Sequence, residues 1–136
     1  MTIRECRADE VFDVLAVWRA AGSPPSVTDS AEHVGAIVAS DHAWLFVAEE
    51  DGRVAGTLIA AWDGWRGSLY RLAVLPECRR RRIASALVAA GEDRLRAAGA
   101  RRLAAIVLQE SAEAAGFWAA AGYEHQVEAG RYVKTG

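Results

Sequence analysis

Four arginines stand in a row at Arg79, Arg80, Arg81 and Arg82, inside the stretch V-L-P-E-C-R-R-R-R-I-A-S. A strand pattern ends at Pro76, and a helical pattern begins at Ile83. The first backbone N–H groups of a helix have no partners within it. The helix dipole adds partial positive charge at the same end, so the turn is a ready anion site. Guanidinium forks match phosphate oxygens. Residues 79–85 are therefore expected to hold a phosphate-bearing ligand. A solvated basic helix start without a ligand is the alternative. A nucleic-acid patch is the weaker alternative, because the run is short, sits inside a folded unit, and belongs to a chain of net charge −2.

The charge is unevenly placed. Residues 77–102 hold eight arginines against three acids, and the remainder holds eight basic residues against fifteen acidic ones. One segment attracts anions and the rest does not. Other groups capable of chemistry are scattered. Cys6 and Cys78 form neither a disulfide framework nor a zinc pattern, and suit a reducing cytosol. Asp63, Glu77, Glu32 and His33 can approach a site from loops or from the second helix, or serve as ordinary surface residues. Trp44, Trp62, Trp65 and Tyr70 surround the central strands, as an acceptor pocket or as core.

The elements that must position these groups follow from periodicity. Residues 2–6 read as a short strand. Asp9 is a plausible N-cap for a helix carrying Val11, Val14, Leu15 and Trp18 on one face. Pro24 and Pro25 end it. Thr28 or Asp29 caps a second helix through Val34, Ile37 and Val38, and the loop between faces substrate or simply connects. Residues 43–49 and 53–62 are strands around an Asp51-Gly52 hairpin turn. Residues 68–75 complete a three-stranded meander. Ile83, Leu87, Val88, Gly91 and Leu95 define a helix that stops at Gly99. Residues 101–108 end in an apolar run, as in a strand covered on both faces. Strand, helix and strand in succession imply a parallel pair. A last helix spans 111–121, and a final strand 123–134.

A length of 136 residues, 52% hydrophobic and 25% charged, predicts one globular domain over 1–136 with a real core. No apolar run approaches the roughly 20 residues of a membrane span, and MTIRECRADE has no signal-like apolar stretch.

The order β-α-α-β-β-β-α-β-α-β resembles the GNAT N-acetyltransferases. The hairpin E-E-D-G-R-V-A-G is similar to that family's second and third strands. L-A-V-L-P-E-C-R-R-R-R-I-A-S-A-L resembles its acetyl-CoA motif, and F-W-A-A-A-G-Y its late helix motif. The likeness spans nearly the whole chain. It implies an α/β (α+β) acyl-CoA N-acyltransferase fold, with about four helices and a mixed sheet of six or seven strands, splayed between its two parallel strands.

By the same resemblance, Arg79 falls on the motif's first position and Ala84 on its last, and backbone amides of Arg80, Arg81, Arg82, Ile83, Ala84 and Ser85 cradle the CoA pyrophosphate. Leu72, Ala73 and Val74 run beside the pantetheine arm, and the Leu72 amide faces the thioester oxygen. Ser111 and Trp118 flank the thiol end. Arg82 stands where the family's motif has glycine, Trp118 where it often has tyrosine, and Ser68 where some relatives have a glutamate base. Tyr70, on the same strand face as Ser68, is the remaining titratable candidate there, or a packing residue. The implied activity is acetyl transfer from acetyl-CoA to an amine of a small molecule or protein, by direct attack in a ternary complex. A catalytically reduced CoA-binding or interaction module is the alternative. Acetyl-CoA is the co-substrate. No metal, nucleic acid or membrane is implied, and the expected state is a cytoplasmic monomer or homodimer.

Overall fold

Apolar residues run almost unbroken through the middle of the chain, and those runs become the centre of one sheet, buried on both faces. The computed structural model describes residues 1–108 and 111–136. Strand β1 (Thr2–Glu5) pairs antiparallel with β2 (Ala43–Glu50), β2 with β3 (Arg53–Trp62), and β3 with β4 (Gly67–Val74). Strand β5 (Leu103–Ala105) joins β4 in parallel, giving the order β1-β2-β3-β4-β5. The β2–β3 turn has Asp51 at φ 52° and Gly52 at φ 77°. Such a turn matches the strands' right-handed twist and favours Asp-Gly.

Helices α1 (Val11–Ala20) and α2 (Ala31–Val38) cover one face, and α3 (Ile83–Ala98) the other. Val14, Val17, Trp18 and Val34 meet Leu45, Val47 and Ile59 beneath α1 and α2. Ile83, Leu87, Val88 and Leu95 meet Leu58 and Leu69 beneath α3. Truncating one of these fully buried leucines to alanine costs about 2–5 kcal/mol. Helix α3 lies close to the sheet because Gly91 has no side chain. A Cβ there would stand 2.9 Å from the Leu58 and Leu69 methyl groups. Helix α4 (Ala112–Ala120) lays Phe117 and Trp118 against the edge of the α3-side core.

Five expectations change. The sheet has five strands, not six or seven. Residues 123–134 pair with no strand among the described residues; Val127, Tyr132 and Val133 lie exposed, too few apolar side chains to hold a strand down. Beside them β5 offers a ladder of only three residues. The run 101–108 is not a strand buried on both faces, since only Leu103–Ala105 pairs and Leu108 is exposed. Its later residues wall a cleft instead of a core. Asp9 does not cap α1, because a 3-10 turn over Ala8–Glu10 precedes the helix and its Glu10 carboxylate accepts the Arg7 N–H at 2.9 Å. Neither Thr28 nor Asp29 caps α2; Ser30 does, accepting the His33 N–H at 3.2 Å.

Candidate active site

The parallel ladder from Gly67 to Leu69 ends with the Ile106 N–H donating to the Leu69 carbonyl at 2.9 Å. Beyond it, β4 and the chain leaving β5 form opposite walls of a cleft of about 790 Å³. Arg71, Leu72, Ala73 and Val74 make one wall, and Ile106, Val107 and Leu108 the other. The start of α3 closes one end. Ser111 and Trp118 border it from α4, and residues 21–24 reach over from the loop after α1.

The arginine turn has an unusual backbone. Arg80 and Arg82 have φ 66° and 61°, left-handed values that disfavour side chains by roughly 1–2 kcal/mol per residue. Left-handed residues within a turn bring successive N–H groups onto a concave side, which suits an anion. Arg82 is also the N-cap of α3, and the Ala86 N–H to the Arg82 carbonyl, 3.1 Å, is the first helical bond. The Ile83, Ala84 and Ser85 N–H groups precede it and have no intrahelical acceptor. Arg82 thus adopts the conformation for which glycine is suited, and its side chain is exposed. Arg79 reaches across the cleft mouth, with Nε 3.4 Å from the Val74 carbonyl and Nη2 3.4 Å from that of Ala21.

Of the residues expected to touch CoA, eleven line this one cleft: Leu72, Ala73, Val74, Arg79, Arg80 and Arg82, then Ile83, Ala84, Ser85, Ser111 and Trp118. Arg81 does not, because its guanidinium turns toward Glu50 at 3.8 Å. Ser111 is the N-cap of α4 and accepts the Ala114 N–H at 3.0 Å. Trp118 stands edge-on to Phe117 at 5.1 Å and to Tyr123 at 5.0 Å.

The titratable candidates fall elsewhere. Tyr70 packs half-buried toward the α1 and α2 side, where burial raises its phenol pKa and the Arg131 charge opposes the rise. Asp63 accepts the Trp65 and Arg66 N–H groups at 2.8 and 2.7 Å, which hold its carboxyl below the usual range. Glu77 pairs with Arg53 at 3.3 Å on the surface. His33 Nδ1 shares a 2.7 Å hydrogen bond with Ser30, and Glu32 does not line the cleft. The tryptophans separate. Trp44 lies buried beneath the Arg94 guanidinium, while Trp62 and Trp65 border a different hollow with Arg66, Arg101 and Arg102. Cys6 is buried and its thiol is pushed up to about 11, chiefly by burial, so it is a poor nucleophile. Cys78 borders the cleft but is 1% exposed. Among the described residues, no group of three His, Cys, Asp or Glu side chains could hold a metal, and no helix is long and apolar enough to cross a membrane.

Sequence reasoning missed Arg71. Its guanidinium pairs with Asp29 at 2.9 Å and lies 4.5 Å from the Trp18 ring. An arginine in the middle of the strand segment S-L-Y-R-L-A-V, the one charged residue there, was the available signal. The residue-21 to residue-24 segment, read as either substrate-facing or merely connecting, does line the cleft.

The family profile described as "Acetyltransferase (GNAT) family" matches residues 10–123. An aminoglycoside 6'-N-acetyltransferase from Acinetobacter haemolyticus superposes with a TM-score of 0.81 at 18% identity, over 99% of each chain. The PaiA N-acetyltransferase from Thermoplasma acidophilum, solved in complex with coenzyme A, gives 0.81 at 15% identity, over 92% of this chain and 90% of that one. An aminoglycoside N-acetyltransferase in complex with CoA gives 0.79 at 24% identity, over 98% of this chain and 93% of that one. At these identities the likeness is one of fold.

Proposed function

The chain belongs to the GNAT acetyltransferase family, and from that premise we propose that it transfers the acetyl group of acetyl-CoA to an amine within the β4–β5 cleft. The observation that carries the reading is the junction of two features. The parallel strands part beside Leu72, and the unpaired amides of the α3 start, on their left-handed arginine turn, close the end of the same cleft.

In this reading the Ile83, Ala84 and Ser85 amides, with those of the arginine turn, bind the pyrophosphate, and Arg79 and Arg80 add charge. Main-chain groups of Leu72, Ala73 and Val74 hydrogen-bond the pantetheine arm like an added strand. The Leu72 N–H stabilises the oxyanion as the thioester carbonyl is attacked. Trp118 packs beside the thiol end. An amine with pKa near ~10.4 must lose its proton before attack, and burial in the cleft lowers that value. Orientation of the two reactants supplies much of the acceleration. The thiolate leaves without a dedicated acid and takes its proton from water. A cysteine acyl-enzyme is disfavoured by the burial of Cys6 and Cys78.

The test is calorimetric titration with acetyl-CoA, followed by thiol release with a panel of amines. Several similar structures are aminoglycoside acetyltransferases, so aminoglycosides enter that panel beside small amines and peptide N-termini. Ile83→Pro removes one cradle amide and is expected to abolish binding. Unchanged binding in a folded Ile83→Pro protein would place the site elsewhere. Binding without thiol release from any amine would favour a CoA-binding module.

A further inference from the structure

The peptide that joins Arg71 to Leu72 is held from behind. The β3–β4 register passes from Ile59 opposite Tyr70 to Thr57 opposite Ala73, so Arg71 and Leu72 together oppose Leu58 in a bulge. Arg71 has φ 56°, a left-handed value in the middle of a strand. Such a conformation persists only where its surroundings over-determine it. Here they do. The Thr57 hydroxyl donates to the Arg71 carbonyl at 2.9 Å. The Trp18 indole N–H donates to that same hydroxyl at 2.9 Å. Thr57 is the one fully buried polar side chain among the described residues. The Arg71 side chain closes the circuit, with its guanidinium 4.5 Å from the Trp18 ring and paired with Asp29.

A peptide unit is planar and, when trans, its C=O and N–H point in opposite directions. The Arg71 carbonyl and the Leu72 N–H belong to one such unit. Holding the carbonyl toward Thr57 and α1 therefore aims the Leu72 N–H away from them, and Leu72 lines the cleft. The indole occupies one lone pair of the Thr57 hydroxyl, which leaves its proton committed to the carbonyl.

We propose that Thr57 and Trp18 are positioning residues for the oxyanion donor, acting through the Arg71–Leu72 peptide from the opposite face of the sheet. The inference rests on the assignment of the Leu72 N–H as that donor. It gives the buried hydroxyl a task that a valine of similar shape could not perform. It also draws α1, which lies outside the arginine-turn motif, into the support of the site.

The test uses the full chain and acetyl-CoA carrying 13C at the acetyl carbonyl, read by isotope-edited infrared difference spectroscopy. A hydrogen bond to the thioester oxygen lowers its stretching frequency. Wild type and Thr57→Ser are expected to show bound bands below that of free acetyl-CoA. Thr57→Val is expected to return the band at least about halfway to the free position, with kcat reduced on the order of tenfold or more and acetyl-CoA affinity changed less than about threefold. Should Thr57→Val fail to fold, Trp18→Phe decides in its place, because it frees the hydroxyl to rotate while keeping Thr57, and a smaller shift in the same direction is expected. A band that stays at the wild-type position in the deciding variant, with acetyl-CoA bound, overturns the inference and leaves the Leu72 assignment standing. A wild-type band at the free position overturns the Leu72 assignment and the inference together. Absence of acetyl-CoA binding by wild type overturns the acetyl-transfer reading itself.

Discussion

The Tyr123 hydroxyl donates a 2.6 Å hydrogen bond to Glu92 Oε2, joining the chain just beyond α4 to the middle of α3. The Tyr123 ring is also the surface against which Trp118 rests edge-on. The aromatic side of the cleft is thus braced by a polar contact outside it. Tyr123→Phe is expected to lower stability by about 1–2 kcal/mol and acetyl-CoA affinity a few-fold, measured by urea unfolding and calorimetry. Burial, with the Glu92 hydrogen bond and charge, raises the Tyr123 phenol pKa above its usual value. A raised folded-state pKa gives stability that is complete below the unfolded value near 10 and lost as pH climbs beyond it. Tyr123→Phe should flatten that alkaline decline; equal alkaline slopes in the two proteins would contradict the assignment.

Arg82 separates backbone shape from side-chain charge. Arg82→Gly removes the left-handed penalty but adds freedom to the unfolded chain, so its net effect on stability is expected within about 1 kcal/mol of zero. Arg82→Ala loses the same charge and keeps the penalty, and should be the less stable of the two by about 1 kcal/mol. Acetyl-CoA affinity is expected equal or better in Arg82→Gly. A tenfold loss there, with helix content intact, would show that the guanidinium itself grips phosphate.

Trp118→Tyr tests whether proton delivery limits the reaction. The indole fills space between Phe117 and Tyr123 that a phenol would leave partly empty. The expected outcome is a small loss of acetyl-CoA affinity and little change in single-turnover rate, since a thiol with pKa near ~8.5 leaves readily as thiolate. A large rate gain confined to high pH would instead identify a missing general acid.

Acid should loosen the β1 end of the sheet. The Glu10 carboxylate binds the Arg4 guanidinium at 2.8 and 2.7 Å and the Arg7 N–H at 2.9 Å, and the Arg4 hydrogen bonds lead in lowering its pKa to about 2. A depressed folded-state pKa gives stability that is complete above the unfolded value of 4.5 and lost as pH falls toward about 2. Glu10→Gln should lose about 1–3 kcal/mol at neutral pH and show a shallower decline between those limits in thermal melts. A parallel decline in both proteins would assign the acid sensitivity elsewhere.

The meander, its Asp51-Gly52 turn and the apolar face of α3 are legible in sequence because each rests on local periodicity or turn chemistry. The cleft is legible through its main chain: strand, proline, arginine turn and helix start are consecutive, so their spacing predicts convergence. What is hidden depends on partners far apart in the chain. Asp29 looks like a helix cap until Arg71, forty-two residues later, claims its carboxylate. Arg81 looks equivalent to its three neighbours, yet alternating left-handed residues turn it toward Glu50. The apolar run after β5 looks like buried strand because a cleft wall and a core carry the same residue types.

Strand β5 is held by a three-residue ladder that forms only after the sixteen residues of α3 have crossed the sheet. Closing so long a loop costs chain entropy before the pairing returns any of it. The β2-β3-β4 meander, by contrast, assembles from neighbours in sequence. In kinetic terms, β5 is expected to dock last in folding and detach first in native-state opening. The cleft wall is then expected to be less protected than the meander. It can adjust locally to a bulky ligand while the meander, and the bulge built into it, stays undisturbed.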